Sequence, residues 1–202
     1  MLRLYVTRHG ETVWNTQQRL QGWKDSPLTE KGVHHAKLLG KRLQDIEFQA
    51  VYSSSSERTI ATAEYIMGKR EQPIIPDDNL REIHMGRWEG KTADELGEKE
   101  AEAYHAFFHM PHRYVAESGE NYDVLQNRVL QALQRIMSEH DSGDILVVTH
   151  TVVIKMLLKY ANNLPLEELW GEPYIHDTSL TVLEIRDGQI EVAMAGDISH
   201  RE

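Results

Sequence analysis

Asp144-Ile145-Leu146-Val147-Val148-Thr149, followed at once by His150, is the clearest buried strand in the chain: an unbroken apolar run between a charged and a polar end. A helical pattern follows directly, with Val152, Val153, Met156, Leu157 and Tyr160 expected to face inward. The same strand-then-helix order appears at the start. Residues 2–7 read as a buried strand, and Thr29 is expected to cap a helix over 29–47, in which Val33, Ala36, Leu39, Gly40, Leu43 and Ile46 recur at helical spacing. Phe48 to Ser53 is a short apolar strand closed by serines. Glu57 to Met67 carries a second helical pattern, which Gly68 stops. Strand, helix, strand, helix is the alternation of a parallel sheet covered by helices. The expected class is a three-layer α/β/α sandwich with a mainly parallel central sheet.

Pro73 to Pro76 brackets a further short strand. From about 77 to 142 the sequence becomes charged and helix-favouring, including Ala93–Met110 and Tyr122–His140. Residues 1–202 therefore read as a single domain with a helical subdomain inserted at about 77–142, over the carboxyl edge of the sheet. Ser179 to Ile185 and Gln189 to Ala193 flank Asp187-Gly188, a hairpin turn signal that predicts two antiparallel strands.

Composition removes several classes. The 202 residues include no cysteine, which excludes disulfide and zinc-thiolate scaffolds. A 40% hydrophobic and 27% charged content is ordinary for a globular chain. The opening Met1-Leu2-Arg3 meets a charge too early for a signal peptide, and no run approaches the ~18 apolar residues of a membrane span. A cytoplasmic location without membrane association is the expectation. With 22 basic against 32 acidic side chains the net charge is −10, which argues against a nucleic-acid partner. The charge is uneven: residues 1–70 hold 11 basic and 7 acidic groups, for +4, while 71–202 hold 11 and 25, for −14. The first third is the part suited to an anion.

Ligands of such sheets bind beyond the carboxyl ends of the strands. After strand 2–7 comes Arg8-His9-Gly10-Glu11-Thr12. After Phe48–Ser53 comes a serine turn and then Arg58, and after 144–149 comes His150-Thr151. Three strands thus deliver Arg8, His9, Arg58 and His150 to one edge, with Glu82 in the Arg81-Glu82-Ile83-His84 stretch nearby. Guanidinium groups fork onto phosphate oxygens, and a helix opening at His150 offers backbone N–H groups and a positive dipole end. Gly10 lets the backbone pass close to a bound group.

Thr7-Arg8-His9-Gly10-Glu11-Thr12 with Trp14-Asn15 resembles the signature of the histidine phosphatase superfamily, which includes the cofactor-dependent phosphoglycerate mutases. The similarity extends, in family order, to Leu28–Gly32, Ser53-Ser54 with Arg58 and Thr62-Ala63, Leu80-Arg81-Glu82, Gly86, Trp88-Glu89-Gly90, Gly119-Glu120 and Val148-Thr149-His150. The resemblance implies that His9 is a nucleophile forming phosphohistidine, with one ring nitrogen free and the other N–H held by a backbone carbonyl. It further implies that Arg8, Arg58 and His150 stabilise the non-bridging oxygens, and that Glu82, with a raised pKa, protonates the leaving group and then activates water. Asn15 and Gln21 would add neutral donors at the rim. Neither metal nor cofactor is implied.

One position departs from the pattern. The family commonly has glycine after the second histidine, where this chain has Thr151, so a narrowed phosphate approach is expected there. His34 and His35 are adjacent, point to different faces, and fit a solvated surface better than a metal site. The Tyr104–Met110 segment contains Phe107 and Phe108. It suits a subdomain core, or, with Trp23, the leaving-group side of the pocket. The expected activity is hydrolysis of small phosphate monoesters by a metal-independent phosphatase. Phosphoglycerate mutase, or a dedicated phosphatase for alpha-ribazole phosphate or a sugar bisphosphate, is the alternative. A mutase needs a lid that excludes water, for which 202 residues leave little material. The expected partner is a small phosphorylated metabolite, and the expected assembly is a monomer or homodimer.

Overall fold

The structure, a computed structural model, describes residues 1–201. Strand β1 (Leu2–Arg8) leads through the one-turn helix α1 (Val13–Thr16) to α2 (Glu30–Arg42), β2 (Phe48–Ser54), α3 (Glu57–Met67) and β3 (Ile74–Asp77). Helices α4 (Ala93–Leu96), α5 (Glu98–His109) and α6 (Tyr122–Glu139) precede β4 (Gly143–Thr149) and α7 (Thr151–Ala161). The hairpin β5 (Leu180–Arg186) and β6 (Gln189–Asp197) completes the sheet. Its strand order is β3-β2-β4-β1-β5-β6. The first four strands in that order are mutually parallel, and β5 runs antiparallel to both β1 and β6. Among the described residues, no helix is long and apolar enough to cross a membrane.

Alternation along the central strands supplies both faces of the sheet. Tyr5, Val51, Leu146 and Val148 pack with Ala36 and Leu39 of α2 and Ala63 and Ile66 of α3. Leu4, Val6, Ile145 and Val147 pack on the opposite side with Leu125, Val129 and Ile136 of α6 and Val153 and Leu157 of α7. The layers are therefore α2 and α3, then the sheet, then α6 and α7. Residues 78–121 lie outside these layers, while α6 is one of the covering helices.

Several boundaries differ from the sequence reading for local reasons. Thr29 caps α2 by accepting from the Gly32 N–H at 3.0 Å, as its position predicts. The helix stops at Arg42, not 47, because Gln44 and Ile46 turn back to the Lys41 and Leu43 carbonyls before β2 begins. The expected helix 93–110 is two helices, since Gly97 holds φ at +75°, in the left-handed region. Tyr160 is 48% exposed, not inward, because it falls in the last turn of α7, beyond the sheet-facing stretch 152–158.

Three parallel strands end at Arg8, Ser54 and Thr149, so their following loops share one edge. At that edge a Cβ on Gly10 would sit 2.8 Å from the Gly32 carbonyl oxygen. A close approach that requires glycine at 10 is thus to the first turn of α2.

Candidate active site

The loops after β1, β2 and β4 converge around a cavity of about 280 Å³. Arg8, His9, Arg58, Glu82, Gln21 and Thr151 are in its wall.

His9 immediately follows β1 and is 4% exposed. Its backbone N–H donates to the Thr149 carbonyl at 3.0 Å, which locks it to the end of β4. Nδ1 lies 2.8 Å from the Gly10 carbonyl, a geometry that assigns the proton to Nδ1 and leaves Nε2 with its lone pair. Burial, reinforced by Arg58 and Arg8, holds the imidazole well below the ordinary histidine pKa. A buried neutral imidazole with one committed nitrogen has the other free to attack an electrophile.

Arg58 sits in the first turn of α3 with its side chain 1% exposed. Nη1 donates to Asp25 Oδ1 at 2.6 Å and to the Lys24 carbonyl at 2.7 Å; Nη2 donates to the Gly22 carbonyl at 2.8 Å and to His150 Nδ1 at 3.1 Å. Arg8 is held by the Ile175 carbonyl, to which Nη1 donates at 3.0 Å. The Nε atoms of Arg8 and Arg58 and Oε1 of Gln21 are buried with no hydrogen-bond partner in the protein. All three residues line the cavity. Two unsatisfied cationic donors beside the His9 imidazole are the arrangement that an anionic oxygen would complete.

His150 is fully buried and its ring lies 5.3 Å from that of His9. Nδ1 accepts from Arg58, so Nε2 carries the proton and donates to Ser54 Oγ at 2.8 Å. Burial first, then Arg58, keeps this imidazole neutral as well. Both ring nitrogens are thus engaged by protein groups and the ring is not part of the cavity wall, so the expected contact of His150 with phosphate is not preformed.

Glu82 lies beyond β3, past a turn of 3-10 helix. Its Oε1 accepts from the Ile83 N–H at 2.9 Å and its Oε2 from the Val152 N–H at 3.2 Å. Burial raises its pKa, although both N–H donors and the two arginines oppose the shift. The N-terminus of α7, expected to face phosphate, therefore spends its Val152 N–H on Glu82. Thr151 lines the cavity beside it.

The remaining expected residues divide. Asn15 reaches the cavity, with Oδ1 committed to the Thr12 N–H and hydroxyl at 3.0 Å each, so its amide NH₂ is the donor left over. Phe107 and Phe108 line the cavity, and Phe107 also packs among Trp88, Tyr114 and Tyr122, serving core and pocket together. Trp23 does not line it. Its indole N–H donates to the Glu82 carbonyl at 2.8 Å, and its ring packs with the His84 ring and the Arg81 guanidinium, each 4.7 Å from its centre. Sequence reasoning missed Met85, Trp170 and Tyr174, which complete the apolar wall. It also missed Asp25 and Arg128. The Arg128 guanidinium donates to the carbonyls of Arg81, at 2.5 Å, and Glu82, at 2.8 Å, while pairing with Glu120 at 2.7 Å. Among the described residues, no group of three or more His, Asp or Glu is placed to hold a metal ion.

The profile of the histidine phosphatase superfamily (branch 1) matches residues 4–198. The chain belongs to this superfamily. A solved histidine phosphatase-fold structure, Bacillus stearothermophilus YhfR, is 47% identical and superposes with a TM-score of 0.98 over 100% of both chains. Phosphoglycerate mutase-like protein 4 of Arabidopsis thaliana is 34% identical, over 98% of this chain and 86% of its own. Phosphoserine phosphatase 1 of Hydrogenobacter thermophilus is 32% identical, over 85% of this chain and 81% of its own. The superfamily therefore supplies phosphatase and mutase-like relatives alike.

Proposed function

We propose that the chain is a metal-independent phosphatase of small phosphate monoesters, working through a phosphohistidine on His9. The observation that carries this reading is the commitment of His9 Nδ1 to the Gly10 carbonyl, in a cavity wall shared by Arg8, Arg58 and Glu82.

Nε2 attacks phosphorus, the P–O bond to the leaving group breaks, and Glu82 gives its proton to the departing alkoxide. Glu82, now a carboxylate, takes a proton from water. The water oxygen attacks phosphorus, the P–N bond breaks, and phosphate leaves with His9 neutral and Glu82 protonated again. Arg8 and Arg58 hold charge on the non-bridging oxygens, the electrostatic work that dominates phosphoryl transfer. His150 joins them only when a ring N–H leaves its protein partner, and a dianionic phosphate nearby favours the protonated imidazole that can do so. Phe107, Phe108, Trp170 and Tyr174 face the leaving group, which supports apolar or aromatic esters of varied shape.

Turnover of p-nitrophenyl phosphate in the presence of chelator, lost in His9→Ala, is the expected result. Full turnover by that variant, or loss of wild-type activity with chelator, would overturn it. The relatives named as mutases favour a second reading, in which the phosphoryl group returns to the sugar acid; net 3- to 2-phosphoglycerate interconversion would establish it.

A further inference from the structure

Gly171 to Ser179 connects the α7 side of the molecule to β5 outside any helix or strand. The segment nevertheless touches both halves of the proposed site. Tyr174 lines the cavity, the Ile175 carbonyl accepts from Arg8, and the Thr178 N–H donates to the Arg8 carbonyl at 3.1 Å. A stretch without a ladder needs partners from elsewhere for its backbone groups. At its far end Asp177 is held by His35 at 3.0 Å and Arg201 at 3.1 Å.

At its near end stands a buried lysine that the proposed chemistry does not use. Lys155, one turn into α7 beyond Thr151, is 5% exposed. Its ammonium donates to the Pro173 carbonyl at 2.6 Å and also to the Gly171 carbonyl. Burial lowers its pKa, against the pull of the Glu172 carboxylate. Methionine would fill the same space without burying a charge, so packing alone does not account for a cation here.

We propose that Lys155 is a positioning residue: by holding the Gly171 and Pro173 carbonyls it sets the 171–175 strap, so that Tyr174 walls the leaving-group cavity and the Ile175 carbonyl aligns the Arg8 guanidinium. Trp170 has separate anchors, its indole N–H donating to the Phe107 carbonyl at 2.7 Å and to the Tyr122 hydroxyl at 3.1 Å. Loss of Lys155 therefore displaces Tyr174 and Ile175 while Trp170 stays. The inference rests on the phosphatase reading for its substrate, although not for its phosphate contact.

The test compares Lys155→Met with Lys155→Arg in the full chain. Inorganic phosphate affinity is measured by calorimetry, and kcat and KM are measured for phenyl phosphate and glycerol phosphate. Lys155→Met is expected to weaken phosphate binding by about tenfold and to lower kcat/KM more for the aryl ester than for the glycerol ester. Arginine, which can donate to both carbonyls, is expected to recover most of each. If Lys155→Met does not fold, Lys155→Leu, which likewise has no donor, replaces it with the same expected losses. Unchanged phosphate affinity and an unchanged ratio between the esters would overturn the proposal, as would losses that follow Tm alone with arginine no better than methionine. Full turnover by His9→Ala would instead sink the phosphohistidine reading, leaving phosphate affinity as the measure of the strap.

Discussion

Arg58 donates to His150 Nδ1 across 3.1 Å, so a cation in the cavity wall also decides which nitrogen of the second histidine carries a proton. Replacing it removes a proposed phosphate donor and a control on tautomer together. Arg58→Met is expected to lower kcat/KM by about 10²- to 10³-fold. It is also expected to raise the His150 pKa, since one of the two main causes of its depression is gone while burial remains. Nitrogen-15 NMR titration of the imidazole checks the second effect, and a His150 pKa unmoved in the variant would contradict it.

Asp25 orients Arg58 from behind. Its Oδ1 accepts from the guanidinium at 2.6 Å and its Oδ2 from the Glu57 N–H, at the opening of α3. Asp25→Asn keeps the shape and removes the charge opposite a buried cation. A stability loss of about 1–3 kcal/mol is expected by denaturant unfolding, together with a KM raised more than kcat is lowered.

Arg128 does for Glu82 what Asp25 does for Arg58, through carbonyls and through Glu120. Arg128→Met leaves the half-buried Glu120 carboxylate with the His84 N–H as its remaining donor, at a cost of about 1–3 kcal/mol. Because the proposed mechanism has Glu82 protonate the leaving group, kcat should fall more for alkyl phosphates than for p-nitrophenyl phosphate, whose leaving group needs no proton. Equal losses for both would contradict a positioning role.

The strand-end residues Arg8, His9, Arg58 and His150 were legible in sequence because each directly follows, or opens the helix after, a strand of strong apolar pattern. Thr29 and the Asp187-Gly188 turn were legible because their local chemistry does not depend on distant partners. Asp25, Arg128 and Lys155 were not: each acts across 33 to 46 residues or through backbone carbonyls that carry no side-chain signal. Trp23 was misplaced for the same reason, since its partner is the carbonyl of Glu82 rather than a side chain.

His200 carries a pH dependence. Burial pushes its pKa down to about 4, with Arg201 and Arg42 adding to the effect. Between that value and the ordinary 6.5 the unfolded chain binds the extra proton, so stability rises with pH through this window and is lost as pH falls. His9 and His150 act in the same direction. His200→Gln is expected to flatten the decline by up to about 1.4 kcal/mol per pH unit. Urea unfolding at pH 5 and pH 7 measures it; an identical difference in wild type and variant would contradict the assignment.

The most direct test of the account is mass spectrometry of the enzyme quenched during turnover of a phosphate monoester. An acid-labile phosphoryl group on the peptide containing His9, formed at least as fast as steady-state turnover and absent in His9→Ala, is the predicted result. A phosphoryl group on another residue, or no phosphoenzyme while His9→Ala continues to turn over, would contradict it.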